Sequence, residues 1–439
     1  MNILDKIKKN WDFSKSTEHN CIRFSNEQEQ KRRKIQKINK WLIPLIILIG
    51  IGLSILFNNP LPVLAFLMGA ISFGSEYVFN SDTTNHVVVA LLDSTHFVVC
   101  YGDGGNSGYG TAIIGTISSG NQISWGSEYV FSENTTSEIG VCALDSTHFV
   151  VKYKYALFNF YLKIGTISNG NEISFGNEYN NGKDLHCCIR TIDSTHFAIC
   201  SSYGDNYRGV SRIGTVSNGN EISLGSRYTF ESALTGEVKI SILDSTHFVV
   251  EYALLLSDKT NFIIGTISNG NEISYGSKYT FKSDNKYGSC TDIKTLDSTH
   301  FVCIYSDSKN SNYLTAMIGT ISNENEISFG DEYVSSYKTT SFSLDLLDST
   351  HLIINFVDTD NSNYGTSIIV TISGGVISFS DKYVFNSATT TLKDTYSTII
   401  IDSTHFVVCY GDGGNSGYGT AIVGTLEAPS TFIPRITWF

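Results

Sequence analysis

The tetrad Asp-Ser-Thr-His recurs seven times in this chain. The copies start at Asp93, Asp145, Asp193, Asp244, Asp297, Asp348 and Asp402, and all four residues are kept in each. The spacings are 52, 48, 51, 53, 51 and 54 residues. A period of about fifty residues means that one supersecondary unit is used repeatedly, and this governs every later assignment. Two further blocks share the period. Ile-Gly-Thr-Ile-Ser stands at Ile114, Ile164, Ile264 and Ile318, with variants at Ile213, Ile369 and Val423. Ile-Ser-Phe-Gly-Ser-Glu-Tyr-Val-Phe begins at Ile71, with relatives at Ile123, Ile173, Ile222, Ile273, Ile327 and Ile377.

Each unit reads as four strands, placed in the first unit at about 85–92, 96–102, 109–118 and 122–131. Apolar and β-branched residues fill them, and Gly, Asn, Asp and Ser bound them. Residues 63–428 contain no proline, as suits a region of paired strands, because proline cannot donate to a ladder. Helical periodicity is missing after Ala70. The expected fold is all-β, a seven-bladed β-propeller with four-stranded blades over residues 71–427. A linear solenoid would need distinct capping repeats, and none stands out. The ends suggest closure of the ring. The repeat region opens with the third block alone, and no third block follows Asp402. The strand from Ile71 is therefore expected to complete the last blade from outside and hide a free edge. Asp93–Ile113 and Asp402–Ile422 are identical over 21 residues, which suits neighbours in a closed ring.

The tetrad contains a nucleophile, a base and an acid, but one catalytic site cannot need seven copies in seven units. A structural turn is the better reading. Asp93, Asp145, Asp193, Asp244, Asp297, Asp348 and Asp402 are expected to accept backbone N–H groups in an Asx-type turn. The matching histidines are His96, His148, His196, His247, His300, His351 and His405. Each opens the next strand, and its ring is expected to tie the turn to a neighbouring strand or blade. This pattern resembles the Asp/His/Ser-Thr bonding of WD-repeat propellers, and Tyr101–Tyr109 is loosely similar to an Asp box. Neither the Gly-His nor the Trp-Asp signature is present. The resemblance is therefore to the propeller architecture and implies no functional family. The recurrent strand glycines are expected to let neighbouring blades approach. The Ser-Asn-Gly-Asn segments at Ser168, Ser217 and Ser268 carry hairpin chemistry.

The net charge of -12 conceals an asymmetry. Residues 1–40 carry +6 and the remainder -18. An acidic main domain argues against nucleic acid as its partner. Residues 1–40 read as a basic tail and 41–57 as a single transmembrane helix, seventeen residues without a charge. A cleaved signal peptide and a buried helix are the rival readings of that segment. Residues 58–70 form an apolar linker and 428–439 a C-terminal tail. Basic residues precede the span, which predicts a cytoplasmic N-terminus and an extracytoplasmic propeller.

The nine cysteines suggest neither a disulfide framework nor zinc spacing. Cys100, Cys200 and Cys409 share one point of the repeat and read as small buried hydrophobes. Asp358, Asp360 and Ser362 alternate like calcium ligands, but the twelfth position is Ile369 rather than Glu. No metal and no cofactor are expected. Asn134-Thr135-Thr136 is a glycosylation acceptor pattern.

Two turn classes are near-uniform, the tetrad and the Ser-Asn-Gly-Asn turn, and a four-strand meander puts both at one face. The variable loops then share the opposite face, where binding is expected. Candidate contact residues are Tyr153, Tyr155, Phe158, Phe160 and Tyr161 in the second unit, and Arg208 and Arg212 in the third. The expected function is membrane-anchored binding of a protein or glycan partner. A propeller-type glycan hydrolase or lyase and a self-assembling scaffold are the alternatives.

Overall fold

A computed structural model describes residues 70–427 except 119–120, 156–158, 205, 258, 282–290, 324 and 393–396. The expected tail at 1–40, the span at 41–57, the linker up to residue 69 and the tail at 428–439 lie outside the described residues. Among those described, no helix is long and apolar enough to cross a membrane. The domain is all-β and of propeller type, made of antiparallel sheets.

The second unit shows the common pattern. Its strands are Ser137–Ala143, His148–Lys154, Phe160–Ser168, Glu172–Phe175 and Tyr179–Gly182. The first three form a meander, and the last two both pair with Phe160–Ser168. The fourth strand of the sequence reading is thus a strand broken at Gly176. The first strands of successive sheets touch one another in chain order, and the last of them, Thr398–Ile400, touches Ile71–Leu91. We call these the axial strands.

Passage between units often needs no loop. Ile71–Leu91 is one strand with two partners. Its first part pairs with Tyr418–Leu426, Ile71 opposite Leu426, and its second part with His96–Asp103. Tyr228–Ile242 passes in the same way from the third unit to the fourth.

The core lies between sheets. Val98, Cys100 and Phe131 of the first unit pack with Val141, Phe149 and Tyr153 of the second. Val407, Cys409 and Val423 of the seventh pack with Val99 and Tyr101 of the first. Cys100, Cys200 and Cys409 are buried and free.

The two recurrent glycines have different tasks. A Cβ on Gly115 would sit 2.3 Å from Phe97 Cζ, and Phe97 is its partner across the ladder. Gly165/Phe149, Gly214/Phe197, Gly265/Phe248, Gly319/Phe301 and Gly424/Phe406 repeat this arrangement. The sixth unit replaces both members at once, with Leu352 opposite Val370. This glycine therefore makes room for a ring within its own sheet, which corrects the expectation that it serves contact between blades. The second glycine does serve that contact. A Cβ on Gly176 would lie 2.8 Å from the carbonyl oxygen of Asn220, in the turn of the next unit.

Candidate functional site

One end of the sheets is uniform. Asp93 Oδ1 accepts from Thr95 N at 2.7 Å, Thr95 Oγ1 at 2.9 Å and His96 N at 2.8 Å. His96 Nδ1 lies 3.0 Å from Oδ2, so the ring donates to the carboxylate. The Thr contact recurs at Asp145, Asp193, Asp244, Asp297, Asp348 and Asp402. The ring contact recurs as well. His148 Nδ1 lies 3.1 Å from Asp145, His196 Nδ1 3.0 Å from Asp193, and His247 Nδ1 3.1 Å from Asp244. His300 Nδ1 lies 3.1 Å from Asp297, His351 Nδ1 3.0 Å from Asp348, and His405 Nδ1 2.9 Å from Asp402.

These contacts assign Nδ1 to its own turn, where the sequence suggests a tie to a neighbouring strand or blade. They leave only the Nε2 edge facing outward, as in His148, where a Cβ on Gly219 of the next unit would lie 3.1 Å from Nε2. In His96, His148, His196, His247, His300, His351 and His405 alike, Nδ1 is spent on the Asp three residues before it. The reason is local. The Asx turn already holds the carboxylate against the Thr N–H, which brings it beside the ring. His351 is buried, and the other six histidines are half-buried. The link to the next strand is made instead by the Thr carbonyl, as in Ile117 N to Thr95 O at 2.8 Å. Burial disfavours the charged carboxyls, but the hydrogen bonds outweigh it and hold all seven Asp pKa values below the usual range. The Ser-Asn-Gly-Asn turns share this end, with Asn169 and Gly170 at φ 50 and 80, two left-handed residues in the three-residue connection between the paired Ser168 and Glu172.

The other end divides into two sectors. In the fifth, sixth, seventh and first units, Asp307, Asp358, Asp412 and Asp103 close the loop between the second and third strands. Each accepts a backbone N–H two residues on, as Asp103 does from Gly105 at 3.0 Å. Asp358 is also held by Lys382 Nζ at 2.6 Å, a cation supplied by the protein where the sequence hinted at a calcium ligand. In the second, third and fourth units the same point carries Tyr155, Tyr203 and Leu254. Here the loops lose their common form, and Leu256 stands 84% exposed.

These three divergent units meet at a cavity of about 250 Å³, lined by Glu138, Ile139, Lys152, His186, Cys187, Cys188, Glu237, Val238 and Lys239. It lies between the axial strands Ser137–Ala143, Asp184–Thr191 and Tyr228–Ile242. Glu138 and His186 both have φ 48, as His86 has φ 52 at the equivalent point of the first unit. Non-glycine residues with long side chains rarely adopt this region, and strain of about 1–3 kcal/mol at such points is a mark of functional sites. Each residue sits at a bulge, for example between Ser137 and Gly140. Lys154 Nζ donates to Glu138 Oε1 at 3.0 Å. Burial opposes ionisation of Glu138, but Lys152, Lys154 and His186 prevail and lower its pKa. His186 presents much of its surface at the mouth. Desolvation on its cavity side still lowers its pKa, with Glu237 and Glu138 opposing.

The residues singled out from sequence fare unevenly. Tyr153, Phe160 and Tyr161 are buried, at 0%, 0% and 8% exposure. They extend strands and pack in the core, which corrects their assignment to a contact rim. The Tyr153 hydroxyl donates to Glu178 at 2.6 Å. Tyr155 is half-buried and stacks on Tyr161 at 4.2 Å. Phe158 lies outside the described residues. Arg212 is buried, its guanidinium bonded to Asn181, so it ties the third sheet to the outer strand Tyr179–Gly182 of the second and is closed to a partner. Burial, then Arg227, brings its pKa down to about 10. Arg208 is exposed.

None of the charged cavity residues was among the sequence candidates. A signal existed. The position seven before each tetrad Asp carries His86, Glu138, His186 and Glu237 in the first four units. The position seven after it carries Cys100, Lys152, Cys200, Glu251, Ile304, Asn355 and Cys409. Alignment of the units on Asp exposes both columns. Among the described residues, no group of three or more His, Cys, Asp or Glu could hold a metal ion.

The sequence matches no protein-family model and no curated protein. Solved structures do resemble the fold. The core factor of S. cerevisiae superposes with a TM-score of 0.51 at 9% identity, over 84% of this chain, which spans 62% of that one. The WD40 domain of SCAP from fission yeast gives 0.42 at 8% identity, over 81% of this chain and 98% of that one. AofleA from Arthrobotrys oligospora gives 0.46 at 8%, over 72% and 90%. Identities this low concern the fold alone.

Proposed function

We propose that the chain is a closed seven-bladed propeller, tethered to a membrane by residues 41–57, that binds a protein or glycan partner outside the membrane. Contact is made by the second to fourth units at the end opposite the tetrads. Support for closure comes from Ile71–Thr83 pairing along Tyr418–Leu426. Further support comes from Ser397 Oγ donating to Val87 O at 3.3 Å and Asn121 Nδ2 to Thr425 Oγ1 at 3.0 Å. Support for the tether is the uncharged run at 41–57 behind its basic flank.

The observation that carries the binding reading is the convergence of three adjacent divergent units on one cavity of mixed charge. Drift on a scaffold without function would scatter such departures around the ring. Binding also suits the cavity better than glycan cleavage, because a general acid needs a raised pKa and Glu138 is moved the other way.

Presenting the full-length chain to glycan and protein arrays tests this. Replacing Arg208 or Leu256 by Ser should weaken capture at least about tenfold, as loss of one good contact does. Val334→Ser, in the fifth unit, should leave capture unchanged. Self-assembly with no captured partner would favour a scaffold and overturn the proposal.

A further inference from the structure

Lys152 is an ammonium group at a point where the other units carry Cys, Glu, Ile or Asn. It is 6% exposed, yet it lines the cavity. Its Nζ lies 4.8 Å from the centroid of the Phe160 ring. Among the described residues, Nζ has no hydrogen-bond or ion-pair partner. Glu138, whose carboxylate feels the charge of Lys152, is already bonded to Lys154. The stem of Lys152 fits because of Gly140, where a Cβ would lie 2.5 Å from Lys152 Cε. The six equivalent axial positions are Val88, Cys188, Lys239, Asp292, Ser343 and Ser397, each with a side chain. A glycine has thus been placed where it lets a lysine reach the cavity. A buried charge is costly unless an opposite charge meets it.

We propose that Lys152 anchors a small carboxylate-bearing ligand in this cavity. The carboxylate meets Nζ from the cavity side, away from the Phe160 ring, and the hydroxyl or amino donors of the ligand face Glu237. This deepens the binding reading above and rests on it. The lining sets Lys152 and Lys239 against Glu138 and Glu237, a balance that favours one added negative charge over two. With about 30 Å³ for each water, the cavity holds the volume of about eight waters. That suits an amino acid or a single sugar acid.

Calorimetric titration of the full-length chain with acetate, glycine, glucuronate and inorganic phosphate tests this. At least one carboxylate should bind, and phosphate, held as the dianion by working at about pH 8.5, should bind more weakly. Comparison of glycine with glucuronate separates a free amino acid from a sugar acid. Lys152→Met should weaken binding about tenfold or more, as loss of a charge-assisted hydrogen bond does. Without ligand its melting temperature should change little, since Met keeps the stem and the relief of a desolvated charge offsets the lost attraction to Glu138. A purely structural lysine would show the reverse. Glu237→Lys, at an exposed position, should weaken glycine and strengthen acetate. Failure of every carboxylate at millimolar concentration would overturn the proposal, as would phosphate binding equally well or unchanged affinity in Lys152→Met. A partner captured equally by wild type and Lys152→Met would retain the rim reading and remove this one.

Discussion

Asp103, Asp307, Asp358 and Asp412 close the same loop in four consecutive units, whereas Tyr155, Tyr203 and Leu254 replace them in the other three. The outer strands divide along the same line. Val78, Val130, Val334 and Val384 are exposed in the conforming sector, and Asn180, Thr229 and Thr280 stand at their position in the divergent one. Yet the tetrads and the close approach of Phe to Gly cross both sectors unchanged, apart from the paired exchange in the sixth unit. One end of each sheet carries the framework, and the other is free to vary where the framework does not need it. The cavity lies wholly in the sector that varies.

If the framework is common to both sectors, it should fail alike in both. Gly115→Val in the first unit and Gly214→Val in the third should each cost about 3 kcal/mol in urea unfolding, because the new methyls meet a phenyl ring. Adding Phe97→Leu to Gly115→Val should recover most of this, reproducing Leu352/Val370. Unequal costs would break the equivalence of the sectors.

Loop closure should separate them. Asp103→Ala removes bonds to Gly105 N and Asn80 Nδ2 and should cost about 1–2 kcal/mol, as a lost cap does. Tyr155→Ala should cost less than about 1 kcal/mol, since the residue is half-exposed, while weakening partner capture. The opposite order would place the framework in the divergent loops.

Acid should act on both sectors together, with a smaller effect per unit. Each tetrad Asp has a folded pKa below its unfolded value of about 3.9. Its contribution is therefore complete above that value and is lost as pH falls through the folded pKa. The melting temperature should drop below about pH 4, and Asp145→Asn should flatten the drop slightly. The smallest effects belong to Ser94→Ala and Ser194→Ala. Both residues are exposed, and a change within about 0.5 kcal/mol is expected. A larger loss would show that the serine holds the turn alongside Asp and Thr.

Strand order, the two uniform turns and the outer position of Ile71–Thr83 were legible because they repeat, and seven copies isolate what the backbone demands. The tetrad histidines were legible as the residues that open the second strand. The partner of their rings was not, because a repeat shows that a ring is needed without showing which way it turns. Arg212 and Tyr153 were misread for the complementary reason. They are departures from the repeat, and departure alone does not distinguish a side chain facing solvent from one filling the gap between sheets. Tyr153 alternates into a core with Phe131 and Phe149, and only the packing of two sheets reveals which face that is. The charged columns at His86, Glu138, His186 and Glu237 were readable but went unread. They lie within the axial strands, at a bulge that a periodic pattern does not announce.

The sequence by itself determined the propeller class, the tetrad turn and the division between uniform and variable ends. These depend on local hydrogen bonding and alternation, repeated until chance is excluded. The tertiary structure alone decided that the second, third and fourth units meet at one cavity. It alone decided that Gly140 opens a path for Lys152, which stands twelve residues later on the neighbouring strand. Register between strands and contact between sheets bring such residues together, and neither leaves a mark in the order of residues along the chain.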